Sequence, residues 1–302
     1  MSEKPTRLQL ALGFACIYVL WGSTYLAIRF AVATIPPFVM GAVRFLLAGG
    51  ALYGWCLVRG ASRPTLREWR NATIIGGLLL CVGNGAVSWS EQRVSSGVAS
   101  LVVASVPLWI VLGERILGKR PTKAELVGVA IGLVGVGLLV LPRGGGLQRA
   151  VDPMGALALS LGSMSWAAGS LLSRRVTLAK PAALSIAMQM LAAGSLLLLL
   201  AIVTGQTQTF DVSAVSVRSA LAVIYLIIFG SLVGFSAYMW LLQVTSPTAV
   251  GTYAYVNPAV AVLLGVLFGG ERLPTQAVLG MVIILAGVIM VSLGPRFSVG
   301  TK

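Results

Sequence analysis

Pro107 and Pro258 each lie about ten residues into an apolar run, so a helical rise of 1.5 Å per residue would put both roughly 15 Å deep in a bilayer. A proline there removes a backbone donor and frees a carbonyl one turn earlier. That can kink a helix, hinge it, or turn an oxygen toward a cavity. Trp21 and Trp166 sit roughly 20 Å into their own runs, below the interfacial belt where tryptophan is usual. An indole facing the bundle interior offers a flat apolar wall and one N–H donor, suited to an organic solute or a cation; otherwise it packs the core. Asn84, Gln189 and Asn257 carry amides to similar depth, and Tyr253 and Tyr255 carry phenols. An unpaired polar group in hydrocarbon costs several kcal/mol, so each amide must bond either a neighbouring helix or a substrate. Arg44 is the deepest charge and must face protein or water, where it can draw a carboxylate or tie down carbonyls freed by the prolines. Glu114 is the candidate for proton coupling, although its run ends at Gly118-Lys119, close enough for the side chain to reach the interface. Glu3, Glu68, Glu91, Glu125, Asp152, Asp211 and Glu271 read as loop or span-end charges.

The elements that must hold these residues follow from composition. Of 302 residues, 57% are apolar and 10% charged, against about 25% charged in soluble proteins. Mean hydropathy is +0.94. No fold of this size can hide that much apolar surface, so lipid is part of the solvent and the chain is an all-α, polytopic membrane protein. Ten apolar runs, near 8–31, 36–58, 71–91, 97–117, 124–141, 153–173, 181–204, 218–242, 248–269 and 275–294, are each long enough to cross as a helix. The first continues past Trp21 to Phe30 without a small-residue cleavage site and reads as a retained span. Tails 1–7 and 295–302 are short.

There is no histidine, and the three cysteines fall inside apolar runs, which removes disulfide frameworks, zinc sites and histidine acid–base chemistry. No Gly-rich loop precedes a Lys-Ser/Thr pair, so no nucleotide site, cofactor, metal or catalytic residue is expected. The net charge of +14 is dispersed over loop ends rather than gathered in a basic module, which argues against a nucleic-acid partner. Arg59, Arg63, Arg67 and Arg70 share one linker and Lys119, Arg120 and Lys123 another. By the positive-inside rule both termini are then cytoplasmic.

Sliding the chain on itself exposes a duplication. At an offset of 145, Trp21 meets Trp166, Pro36 meets Pro181, Arg44 meets Gln189, and Leu46 to Gly49 meets Leu191 to Gly194. Near 151, Trp89 meets Trp240 and Pro107 meets Pro258. The units are 8–141 and 153–294, each of five helices. Five is odd, so consecutive units enter the membrane from opposite sides. Such an inverted repeat is the plan of many secondary transporters, with the substrate near mid-depth between the halves. Gly128 and Gly132 in the fifth run permit close helix approach, within the chain or at a homodimer seam.

Trp21-Gly22-Ser23-Thr24, Arg44-Phe45, Val106-Pro107-Leu108-Trp109 and Tyr253-Ala254-Tyr255-Val256-Asn257-Pro258, before Gly270-Glu271-Arg272, resemble the EamA-type drug/metabolite transporter superfamily, most of all its YedA-like branch. The resemblance covers 8–294. It implies a ten-helix exporter of small metabolites, amino acids or drugs with a central cavity, in the inner membrane. The expectation is therefore alternating-access export of a small organic solute, by a monomer or homodimer, with protons as the candidate coupling ion. A non-transporting assembly factor or receptor is the alternative. A channel would need more intramembrane polar residues, and an intramembrane enzyme an activated nucleophile.

Overall fold

The structure is a computed structural model that describes residues 5–118, 122–140, 152–271 and 275–292. The tail segments 1–4 and 293–302, and the region 141–151, lie outside the described residues. The apolar runs form long helices: α1 Arg7–Ala31, α2 Pro37–Val58, α3 Leu66–Ser90, α4 Ser96–Ile116, α6 Pro153–Ser173, α7 Ala182–Val203 and α8 Val217–Val244, all seven long and apolar enough to cross a membrane. Between and after these come α5 Lys123–Val140, α9 Tyr253–Gly269 and α10 Thr275–Ser292. Among the described residues no strand occurs.

Helix starts are set by side-chain caps. Thr65 Oγ1 accepts from the Glu68 backbone N–H while the Glu68 carboxylate accepts from that of Thr65, so α3 begins at Leu66, five residues before its apolar run. Ser95, Asp152 and Ser216 cap α4, α6 and α8 with a single bond each, the side-chain oxygen accepting from the backbone N–H three residues on. Two spans are interrupted by turns, one next to Pro107 and the other ahead of the helix that carries Pro258 in its interior. In α4 the turn at Ala104–Ser105 precedes Pro107, and before α9 a turn at Gly251–Thr252 separates it from the short helix Pro247–Val250. Three helices carry π-helical stretches: Cys16–Leu20 in α1, Gly77–Asn84 in α3 and Leu226–Phe235 in α8. The wider turn leaves backbone carbonyls off the regular ladder, a device common at functional sites.

Glycines fix the closest crossings. A Cβ on Gly49 of α2 would come within 2.9 Å of the Leu191 backbone nitrogen, and one on Gly194 of α7 within 2.9 Å of that of Leu46. The Leu46–Gly49 and Leu191–Gly194 motifs matched in sequence therefore sit on each other. On α10, Gly287 lies against α5, where a Cβ would meet the Gly132 backbone nitrogen at 2.5 Å and the Gly128 carbonyl at 2.6 Å. The small-residue face of α5 is thus taken up within the chain. Large apolar side chains including Leu47, Leu161, Leu199, Leu267 and Phe268 point outward. In water that surface would be a liability; in lipid it is solvated.

Three of the acids read from sequence as loop or span-end charges do stand at helix ends, yet the fold covers them. Glu91, Glu125 and Glu271 are all buried. Each stands at a helix end that another helix covers, and position along the chain alone does not show that cover.

Candidate functional site

A cavity of ≈ 60 Å³ opens between α1, α2, α3, α4, α6, α8 and α9. The π-helical stretches border it on three sides. Trp21 follows the one in α1, Gly83 and Asn84 end the one in α3, and Gly230 and Phe235 belong to the one in α8. Aromatic rings wall one end. Trp21 and Trp166 meet edge to face at 5.5 Å, Tyr238 lies 4.9 Å from Trp21, and Tyr253 makes a second edge contact to Trp21 at 5.5 Å. Both indole donors are engaged: Trp21 Nε1 donates to the Gly230 carbonyl at 3.1 Å, and Trp166 Nε1 to Tyr238 Oη at 2.8 Å. The tryptophans therefore present faces and edges rather than free N–H groups. Tyr238 Oη also hydrogen-bonds Ser170 Oγ at 2.5 Å. Tyr238→Phe leaves buried partners unmatched, so the detergent-purified variant should lose about 1–3 kcal/mol of stability, read as a lower melting temperature. An unchanged melting temperature would show that the hydroxyl bridges nothing of consequence.

Arg44 also lines the cavity, 3% exposed. Its Nε donates to Ser231 Oγ at 2.8 Å and its Nη1 to Asn84 Oδ1 at 3.2 Å, and its guanidinium lies 4.8 Å from the Phe45 ring centroid. Nη2 packs over Gly230, where a Cβ would come within 2.7 Å. Among the described residues no carboxylate pairs with Arg44. A guanidinium has five N–H donors, so this one keeps donors for a further acceptor, and its charge is buried with only neutral partners.

Asn257 also borders the cavity. With its amide oriented to satisfy the surrounding acceptors, its nitrogen donates to the carbonyls of Tyr18 at 2.9 Å, Ile17 at 3.1 Å and Tyr253 at 3.3 Å. Ile17 and Tyr18 belong to the π-helical stretch of α1, so this amide stitches α9 to carbonyls that the irregular turn leaves available.

Trp21, Arg44, Asn84, Trp166, Tyr253 and Asn257, singled out by depth in the sequence, are thus brought to one cavity. Pro107 and Pro258 stand just behind it, next to the lining residues Val106 and Asn257. Gln189 is fully buried off the cavity; its Nε2 donates to Ser185 Oγ at 3.0 Å and its backbone carbonyl seats Gly76. Glu114 is buried on α4 and is not among the cavity's lining side chains. The Tyr255 side chain lies outside the described residues. Sequence reasoning missed Tyr238, Ser231 and Gly230. Ser231 and Gly230 are two small residues at the middle of a very apolar span, and that was their only signal.

Comparison with known proteins matches the EamA-like transporter family over residues 9–141 and again over 153–293. The "Uncharacterized inner membrane transporter YedA" of Escherichia coli (strain K12) is 44% identical over 279 residues, covering 92% of this chain and 89% of its own. A "Probable terminal-alkyne amino-acid exporter" of Streptantibioticus cattleyicolor is 25% identical over 284 residues, covering 91% and 90%. A crystal structure at 26% identity superposes with a TM-score of 0.65 over 95% of this chain and 98% of that one.

Proposed function

The chain belongs to the EamA-like transporter family, and from that membership we propose that it is a secondary carrier exporting a carboxylate-bearing small organic solute, of amino-acid type, across the inner membrane. The observation that carries the solute class is Arg44. A buried cation whose protein partners are all neutral, with donors left over at a cavity wall, suits an anionic oxygen. The Trp21, Trp166 and Tyr253 rings at the cavity wall, backed by Tyr238, suit the organic remainder. Asn84 holds the guanidinium and offers its amide nitrogen to the solute, while Asn257 braces α9 beside it. Export of an amino acid is named for a relative at 25% identity, which favours the same class here.

The carrier works by alternating access between two inverted five-helix repeats, 8–141 and 153–294, with both termini cytoplasmic and Pro107 and Pro258 as hinge elements. Reciprocal seating of Gly49 on Leu191 and Gly194 on Leu46 supports a two-fold relation between the halves. So do π-helical stretches at corresponding places in α3 and α8. The cavity volume supports movement: ≈ 60 Å³ is far below the roughly 300–1,000 Å³ of organic-ligand pockets, so a solute enters only when the halves part. Gln189 replaces the arginine of the first repeat and belongs to the packing between halves.

The test is counterflow in liposomes containing the purified protein. Labelled phenylalanine should be taken up when unlabelled phenylalanine is inside, and phenethylamine, which lacks the carboxylate, should not compete. Equal competition by the amine would overturn the carboxylate assignment. Absence of counterflow across an amino-acid panel would favour a non-transporting assembly or receptor role.

A further inference from the structure

At one end of the bundle, one residue beyond the span Leu66–Ser90, Glu91 closes α3 with its backbone N–H on the Val87 carbonyl at 3.0 Å. The side chain is 4% exposed, and among the described residues neither carboxylate oxygen has a hydrogen-bond partner. Burying an ionised carboxylate without donors costs several kcal/mol, so this arrangement favours the neutral, protonated form of the group.

Among the described residues, the titratable and charged groups on the elements around it are these. Tyr25, which lines the cavity, and Arg29 approach from α1, and Glu271 from just beyond α9. On its own segment, Arg93 folds over the Trp89 ring at 3.8 Å. Arg218 of α8 stacks 3.5 Å from the Phe30 ring centroid and donates to the Phe268 carbonyl. Burial first, then the charge on Glu271, holds the Glu91 carboxyl well above the usual carboxylate range, with Arg29 acting in the opposite sense.

Glu271 takes the donors that Glu91 lacks. Its Oε1 pairs with Arg29 Nη1 at 2.8 Å and accepts from Ser96 Oγ at 2.8 Å and the Ser96 N–H at 2.9 Å, while Oε2 accepts from the Gly97 N–H at 3.3 Å. One carboxylate thereby ties α1 and the start of α4 to the end of α9. A Cβ on Gly265 would come within 2.5 Å of Oε2, so the seat depends on a glycine there. The Arg29 side chain is 37% exposed, which puts water one side chain away from the pair.

We propose that Glu91 is a proton-binding site of the carrier. With this end closed, Glu271 holds Arg29 and Glu91 keeps its proton. When the end opens, the Glu91 O–H bond breaks, the proton passes to water on that side, and Arg29 becomes counter-ion to the new carboxylate. Two carboxylates sharing one arginine thus link proton release to separation of α9 from α1 and α4. This rests on the carrier reading and moves the coupling acid from Glu114 to the opposite end of α4.

Two measurements decide it. Infrared spectra of the lipid-reconstituted protein, titrated from about pH 5, just above the ordinary carboxylate pKa values, to about pH 9, should show a protonated-carboxyl band persisting at neutral pH. Glu91→Gln should remove that band, and Glu91→Asp should shift it. A wild type with no such band, or a band unchanged in Glu91→Gln, overturns the proposal. In the phenylalanine-loaded liposomes, a pH gradient should drive accumulation by the wild type and not by Glu91→Gln, while counterflow at equal pH survives in both. Gradient-driven accumulation intact in Glu91→Gln also overturns it. If the wild type moves no phenylalanine at all, the carrier assignment for that solute class fails, and the infrared titration still decides the proton site.

Discussion

Arg44→Gln should lower affinity for an amino-acid probe by about 10- to 100-fold and stop its counterflow, while the purified protein melts no lower than the wild type. The two halves of that result separate a charge partner from a brace. A charge-assisted hydrogen bond to a carboxylate contributes about 1.5–3 kcal/mol, which is about 10- to 150-fold in a dissociation constant. Stability moves the other way. The wild-type guanidinium is buried with Ser231, Asn84 and the Phe45 ring for company and has no acid among the described residues. Removing the charge removes its desolvation cost, which offsets the two hydrogen bonds lost. Arg44→Lys keeps the charge but loses the planar fork, so it should fall between the two. Affinity is measured by isothermal titration and melting by thermal shift. A variant that melts much lower yet binds the probe unchanged would make Arg44 a brace alone.

Much of this site was legible because depth along an apolar run is nearly a coordinate in a membrane helix. Counting residues from a span end placed Trp21, Arg44, Asn84, Trp166 and Asn257 at compatible heights, and the cost of polar groups in hydrocarbon required each to face protein. Counting gives height but not azimuth, and this is where Gln189 and Tyr238 diverge. Gln189 matches Arg44 in the repeat yet turns to Ser185, whereas Tyr238, with no counterpart among the matched motifs, reaches the centre of the aromatic wall. The π-helical stretches were also invisible. Two of the three hold glycines, Gly83, Gly230 and Gly234, against which Trp166, Arg44 and Trp21 press, whereas the stretch in α1 holds none.

Glu91 and Glu271 illustrate a different gap. Each stands at a span end, where a charge ordinarily reaches water, and that rule holds for Glu68, whose carboxylate caps its own exposed helix start. It fails where helix ends from both halves of the chain converge. There α4 offers Ser96 and Gly97 N–H groups to Glu271, and Arg29 completes the pair. Long-range partners of this kind have no local spacing. The duplication gives no hint of them either, since Arg29, Glu91 and Glu271 belong to none of its matched positions.

Gly49→Val and Gly194→Val should each destabilise the bundle strongly and by nearly equal amounts, and the equality is the informative part. At Gly49 an added Cβ meets the Leu191 nitrogen at 2.9 Å, the Met190 Cβ at 2.9 Å and the Ala187 carbonyl at 3.0 Å. At Gly194 it meets the Leu46 Cγ at 2.8 Å and the Leu46 nitrogen at 2.9 Å. Backbone cannot swing aside as a side-chain tip can, so α2 and α7 must separate along their whole crossing. Overpacking of a well-filled core costs about 1–3 kcal/mol, and branching at Cβ places valine toward the upper end. The alanine variants place the same Cβ against that backbone and should also lose stability, by less than valine because they add no branch. A chain whose halves are related by a two-fold axis through this crossing gives matched losses at the two positions, because each variant opens the same interface from opposite sides. A loss confined to one glycine, in melting temperatures measured on both valine variants, would leave the 145-residue offset as a trace of duplication in the sequence with no symmetry in the packing.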